Sequence, residues 1–282
     1  SYSFPTPIHV GPGVSEKLDE YLKDAGVTRP AFVTDSGVSS LGWFSKLAET
    51  VGEQFSAIVF DGLLGNPVLS QVTAGVEALR AHQADAIIAV GGGAPLDVAK
   101  AIALMLHHPG ELFDYEDGLP DAPPVDQVIP YLIALPTTAG TGSEVGRSAV
   151  ISDDATHTKK IIFSPRLLPS VVLADPLLTV GLPPHLTAAT GFDALTHLVE
   201  AYLAIGTHPM CDGIALEGIR LVAKHLLVAV NYAAELRDGE KLSAADEERH
   251  IEARSGMLNA ALMGAVAFQK GLGVNHSCAH AL

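Results

Sequence analysis

Along the first 180 residues apolar positions alternate between two rhythms. Short unbroken runs at residues 8–10, 31–35, 57–60, 86–90, 131–135 and 171–175 predict strands. Between them a helical rhythm of 3.6 residues covers 14–25, 37–51, 68–82 and 95–106. Runs that are apolar at successive positions suit a parallel sheet covered on both faces, so the alternation predicts a doubly wound α/β domain with a mainly parallel sheet. Segments 145–151 and 159–163 read as a hairpin turning at Asp153-Asp154.

From Leu182-Pro183-Pro184 onward only the helical rhythm persists, at roughly 185–204, 210–234 and 243–268. The change of period predicts a nucleotide-binding α/β domain over residues 1–180 and an all-helical domain over 181–282. No repeat or low-complexity linker marks the join.

Charge narrows the partners. With 17 basic against 32 acidic residues the formal net charge is −15, which disfavours binding to nucleic acid or to an anionic membrane. The two cysteines, Cys211 and Cys278, lack C-x-x-C spacing and predict neither a disulfide framework nor a zinc knuckle. No apolar run reaches the length of a membrane span, and Ser1-Tyr2-Ser3-Phe4-Pro5 has no secretory pattern. The expectation is a cytoplasmic protein. A short edge strand at residues 8–10 offers pairing to a second copy, so a homo-oligomer is expected.

Candidate chemistry sits at the ends of the predicted strands. Gly91-Gly92-Gly93-Ala94-Pro95-Leu96-Asp97-Val98-Ala99-Lys100 is a glycine-rich turn opening a helix, where free N–H groups and the helix dipole favour a pyrophosphate. By itself it reads more readily as a tight turn, and it is not the G-x-G-x-x-G fingerprint. Pro136-Thr137-Thr138-Ala139-Gly140-Thr141-Gly142-Ser143-Glu144 follows another strand and adds hydroxyls at the same end of the sheet, where ligands of open α/β sheets bind. Asp35 closes a third strand, as an acceptor for a ribose 2′-OH or as a helix N-cap.

In the helical half, Asp193 and His197 stand four residues apart, as do His276 and His280. Positions i and i+4 share a helix face. Singly such a pair is more often a first-turn aspartate and a core histidine than a metal site. The remaining histidines, His9, His82, His107, His108, His157, His185, His208, His225 and His250, fall in loops, caps or polar helix faces and read as structural or surface residues. Cys278 reads as a packing residue, and Glu200 as a helix-face carboxylate that could also reach a ligand histidine.

Together, Gly91–Lys100, Pro136–Glu144, Gly191–Glu200 and Gly271–His280 resemble, in order and spacing, successive signatures of the iron-containing (group III) alcohol dehydrogenases. The resemblance implies a dehydroquinate-synthase-like architecture and transfer of hydride between NAD and a small alcohol or aldehyde. It places Asp35 on the adenosine ribose, Gly92, Gly93 and Ala94 on the pyrophosphate, and Thr137, Thr138 and Thr141 on the nucleotide. Ala94 stands where serine is common. Asn66 would meet the cofactor, and Lys159, with Lys160 as its rival, the nicotinamide ribose.

The same resemblance makes Asp193, His197 and His276 three of four metal ligands, with Fe(II) foremost and Zn(II) next. A divalent cation suits the chemistry because it acidifies an alcohol oxygen as it does a bound water. His280 would relay the proton, its rival roles being ligand or partner to a ligand. The family's pattern continues past Leu282 into helices carrying the fourth ligand, so part of the C-terminal domain is expected to be missing. A dehydroquinate-synthase-like lyase and a non-catalytic nucleotide-binding remnant are the competing readings.

Overall fold

The computed structural model describes residues 6–239, 241–271 and 273–281, with side chains up to residue 278. Six strands form a parallel sheet in the order β1-β8-β5-β4-β2-β3. They are β1 (Ile8–Val10), β2 (Pro30–Asp35), β3 (Ile58–Leu63), β4 (Ala86–Gly91), β5 (Tyr131–Pro136) and β8 (Val171–Ala174). The two central strands are in full register, Ala86 opposite Tyr131 through Gly91 opposite Pro136. Every residue of β4 is buried, as its unbroken apolar run demands. Each large aliphatic side chain there contributes about 1.5–3 kcal/mol by leaving water.

Both faces of the sheet are covered. Ile88, Val90, Phe32 and Ile133 face a layer built by α1 (Leu18–Asp24) and α3 (Gly42–Gly52) through Leu18, Leu22 and Phe44. Ile87, Ala89 and Val33 face α4 (Leu69–His82) and α5 (Gly93–Met105) through Val72, Val76, Leu79 and Ile102. The helix expected over 37–51 is broken in two. A four-residue α2 (Ser36–Ser39) ends at Ser40, and the chain restarts from an extended Leu41 into α3. Ser39-Ser40-Leu41-Gly42 combines poor helix formers with a glycine, so the break has a local cause.

The hairpin pairs β6 (Ser148–Ser152) with β7 (Lys159–Phe163) in antiparallel register. Its first strand starts later than expected because Ser143–Val145 is a 3-10 turn. Asp153 closes the hairpin loop by accepting the N–H groups of Ala155 and Thr156.

The helical part consists of α6 (Pro184–Leu203), α7 (Pro209–Arg237), α8 (Ala244–Ala267) and α9 (Val274–Ala281). Leu198, Ala215, Val222, Met257 and Ala260 form its core. Glycines allow the helices to approach closely: a Cβ at Gly218 would lie 2.3 Å from Leu198 Cδ2. His225 and His250, expected on polar helix faces, are instead buried. Arg254, also buried, reaches from α8 to the chain entering α6, donating to Leu182 O at 3.1 Å and Thr187 Oγ1 at 2.9 Å. That contact fixes α8 to the segment joining the sheet to the helices.

Candidate active site

Parallel strands place all their C-terminal ends on one edge, so the turns after β2, β4 and β5 converge. Gly92 is the N-cap of α5, and its φ of −80° and ψ of −162° leave the first helical N–H groups, including those of Gly93 and Ala94, facing outward. A cleft of about 320 Å³ opens beside them, lined by Asp35, Gly37, Leu63, Leu64, Gly65, Ala94 and Pro95. Asp35 lines the cleft, and its Oδ1 accepts the Val38 N–H at 2.9 Å as the N-cap of α2, the second of the two roles its sequence position offers.

The threonine loop lies against the glycine turn. A Cβ at Gly92 would stand 3.1 Å from Thr138 Oγ1, and one at Gly93 would stand 2.7 Å from Thr141 Cγ2. A side chain at Gly93 would force Thr141 to shift, and one at Gly92 would crowd Thr138. Thr137 is buried, whereas Thr138 is half-buried and Thr141 exposed. Asn66 is exposed next to Gly65 on the cleft wall. Of the two lysines on β7, Lys160 pairs with Glu116 at 3.1 Å and covers the Phe113 ring at 4.6 Å. Lys159 points from the other face of the strand and is exposed.

Sequence reasoning passed over the polar cluster behind this loop. Lys100 is 1% exposed and donates to Ser143 O at 2.5 Å, Ser143 Oγ at 2.8 Å and Ser148 O at 2.9 Å. Asp97 accepts from Ser143 Oγ and from the Val150 N–H. Burial pushes Lys100 below its ordinary range and Asp97 above its own. Glu144 is buried too, and burial pushes its carboxyl up to about 7. The only signal for this cluster was an aspartate and a lysine three residues apart on an otherwise apolar helix.

The second half of the site joins α6 to α9. Asp193 and His197 lie one turn apart on α6, and His276 enters from α9. Asp193 Oδ1 stands 3.6 Å from His276 Nε2 and 3.9 Å from His197 Nε2. The imidazoles stack with centroids 4.4 Å apart. One ligand atom from each residue falls within 4.8 Å of the other two. Ligand atoms sharing a tetrahedral ion are about 3.4 Å apart, so one oxygen and two imidazoles at this spacing fit a divalent cation. Burial lowers the His197 pKa, Asp193 opposes that shift and His276 adds to it. The neutral ring that results is the form a metal takes.

Glu200, one turn beyond His197, is more than a helix-face carboxylate: it reaches a histidine of the cluster, as its alternative sequence reading allowed. It is 9% exposed, and its Oε2 pairs with His276 Nδ1 at 2.5 Å. It also accepts the N–H groups of Gly273 at 3.0 Å and Asn275 at 2.7 Å. Burial raises its pKa, but the hydrogen bonds from His276, Gly273 and Asn275 outweigh that and hold the carboxyl below its ordinary value. A proton on His276 Nδ1 shared with Glu200 would make Nε2, the atom facing Asp193, the ligating nitrogen. Cys278, expected to pack, is exposed. The side chain of His280 lies outside the described residues.

The two halves touch. A Cβ at Gly140, in the threonine loop, would stand 2.9 Å from Thr190 Cβ on α6, one turn before Asp193. The sheet edge that carries the glycine turn and the threonine loop thus abuts, on the helices, three side chains that could hold one cation. Residues 5–176 match the sequence profile of the iron-containing alcohol dehydrogenases, and residues 187–282 match the profile of that family's C-terminal region. The chain belongs to the iron-containing alcohol dehydrogenase family.

It is 40% identical over 281 residues to 4-hydroxybutyrate dehydrogenase of Cupriavidus necator, an alignment covering 98% of this chain and 68% of that protein. Identity to 1,3-propanediol dehydrogenase of Citrobacter freundii is 37%, over 100% of this chain and 69% of the other. Sulfoacetaldehyde reductase of Bifidobacterium kashiwanohense, solved in complex with NAD+, superposes with a TM-score of 0.85 at 31% identity, covering 99% and 69% of the respective chains.

Proposed function

We propose that the protein interconverts a small alcohol and its aldehyde with NAD as hydride carrier and a divalent metal, foremost Fe(II), held by Asp193, His197 and His276. The observation that carries this reading is the contact of the threonine loop with α6, which sets the nucleotide edge beside the cation cluster. A relative solved with NAD+ supports the choice of dinucleotide.

Asp35 accepts from the adenosine ribose and repels a 2′-phosphate. The outward N–H groups at Gly92, Gly93 and Ala94 take the pyrophosphate, whose charge the N-terminus of α5 favours. Thr137, Thr138 and Thr141 border the nucleotide, with Asn66 and Lys159 at its rim. A metal at the cluster supplies Lewis acidity toward the substrate oxygen. Glu200 keeps His276 oriented, and the buried side of His197 excludes water. His280, one turn along α9 from His276, takes the proton of the alcohol oxygen.

The chain divides near residue 180, sheet before and helices after. The partner is a small molecule: a net charge of −15 repels nucleic acid and anionic membrane alike. Among the described residues no helix is long and apolar enough to cross a membrane. Two unbridged cysteines fit a reducing cytoplasm. Among the described residues the outer side of β1 pairs with no strand, and it offers that edge to a second copy, giving a homo-oligomer.

The test is NADH absorbance with a panel of short alcohols, diols and hydroxy acids after loading Fe(II) or Zn(II) without oxygen. Metal-dependent NADH formation with at least one alcohol is expected. NAD binding without turnover under any metal would contradict the reading.

A further inference from the structure

The cluster behind the threonine loop has more order than folding requires. Asp97 and Lys100 lie one and two turns into α5, the helix whose first N–H groups face the cleft. All three donors of Lys100 and both oxygens of Asp97 are committed, three of these bonds to Ser143 alone. Ser143 in turn donates its N–H to Thr141 Oγ1 at 3.3 Å. Thr141 then meets the glycine turn at Gly93. A path of hydrogen bonds thus runs from the body of α5 through Ser143 to Thr141, which closes by packing on the N-terminal end of the same helix.

Stability alone is a poor reason for this arrangement. A buried ion pair seldom outperforms apolar side chains of the same volume, because desolvating both charges offsets their attraction. What the charges add is direction: Lys100 and Asp97 admit one orientation of Ser143, where packed methyl groups would admit several.

We propose that Asp97 and Lys100 are positioning residues for the cofactor, acting through Ser143 to hold the threonine loop at the height where it borders the dinucleotide beyond its adenosine end. This rests on the NAD reading above. The predicted effect is local: the Asp35 cleft, lined by β2, the segment after β3 and the start of α5, has no residue of the clamp in its wall.

The experiment compares Ser143→Ala and the charge-neutral pair Asp97→Asn/Lys100→Met with the unaltered chain. NADH affinity is read by nicotinamide fluorescence, AMP affinity by calorimetry, and thermal midpoint by calorimetric scanning. NADH binding is expected to weaken about tenfold in both variants, the size of one or two lost polar contacts, with AMP affinity unchanged. Unchanged NADH affinity overturns the inference, as does an equal loss of AMP and NADH with a lowered midpoint, which marks a purely structural role. An unaltered chain that binds neither ligand overturns the cofactor reading itself. Should the paired variant fail to fold, Ser143→Ala, which deletes one hydroxyl, decides alone.

Discussion

Asp35 caps α2, and under the proposed NAD reading the same carboxylate accepts from the ribose, so the two roles must be separated by chemistry rather than by deletion. Serine is as good an N-cap as aspartate but carries no charge. Asp35→Ser is therefore expected to keep the thermal midpoint while shifting the NADH-to-NADPH affinity ratio toward NADPH; an unchanged ratio removes the ribose role. Glu200 is the second case. Spacing put it on a helix face within possible reach of a histidine, but did not say which, because its partner His276 is 76 residues away in sequence, beyond any helical pattern. Asp193 and His197 were legible because four residues on a helix is a local relation. Glu200→Ala should leave His276 free to rotate and weaken Fe(II) or Zn(II) retention about 10–100-fold, read by titration against a chelator. Unaltered retention would make Glu200 only a cap for α9.

At the scale of elements, β4, β5 and β8 were readable because runs buried on both faces have no polar position to confuse them, whereas the half-exposed β3 continues through Asp61 and Gly62 past its apolar run. The α2–α3 break was not, since its apolar positions keep helical spacing across a gap that only backbone geometry reveals. The threonine loop was visible as a motif, but its fixation was not: Lys100, Ser143 and Ser148 meet only once β6 folds over α5. Gly142 shows how tightly that loop is held against α8. Its φ is +63°, and a Cβ there would lie 2.3 Å from Ala265 Cβ and 2.8 Å from Ala261 O. Gly142→Ala combines a strained left-handed residue with overpacking against backbone, and should cost about 1–3 kcal/mol or more in urea unfolding. A neutral result would mean that the loop and α8 separate easily.

At the scale of the whole molecule, two buried groups tie stability to pH in opposite directions. Burial, with Arg254 beside it, lowers His250 from 6.5 to about 4. Its neutral folded form loses ground as pH falls below 6.5, where the unfolded chain gains a proton the folded one refuses. Glu144, pushed from 4.5 up to about 7, does the reverse: its contribution is whole below 4.5 and fades as pH rises through 7. Glu144→Gln should therefore raise the thermal midpoint more at pH 8 than at pH 5, and His250→Gln should lessen the acid-side decline between pH 6.5 and 4. Parallel shifts at all pH values would contradict both assignments.

Asp193, His197 and His276, from two helices, are the side chains proposed to serve one ion beside the sheet edge. The most direct test is metal content after anaerobic loading with Fe(II) or Zn(II) and desalting, comparing the unaltered chain with Asp193→Ala and His197→Ala at matched thermal midpoints. The unaltered chain is predicted to retain metal and both variants to lose it. Full retention in either variant would contradict the site, and with it the proposed chemistry.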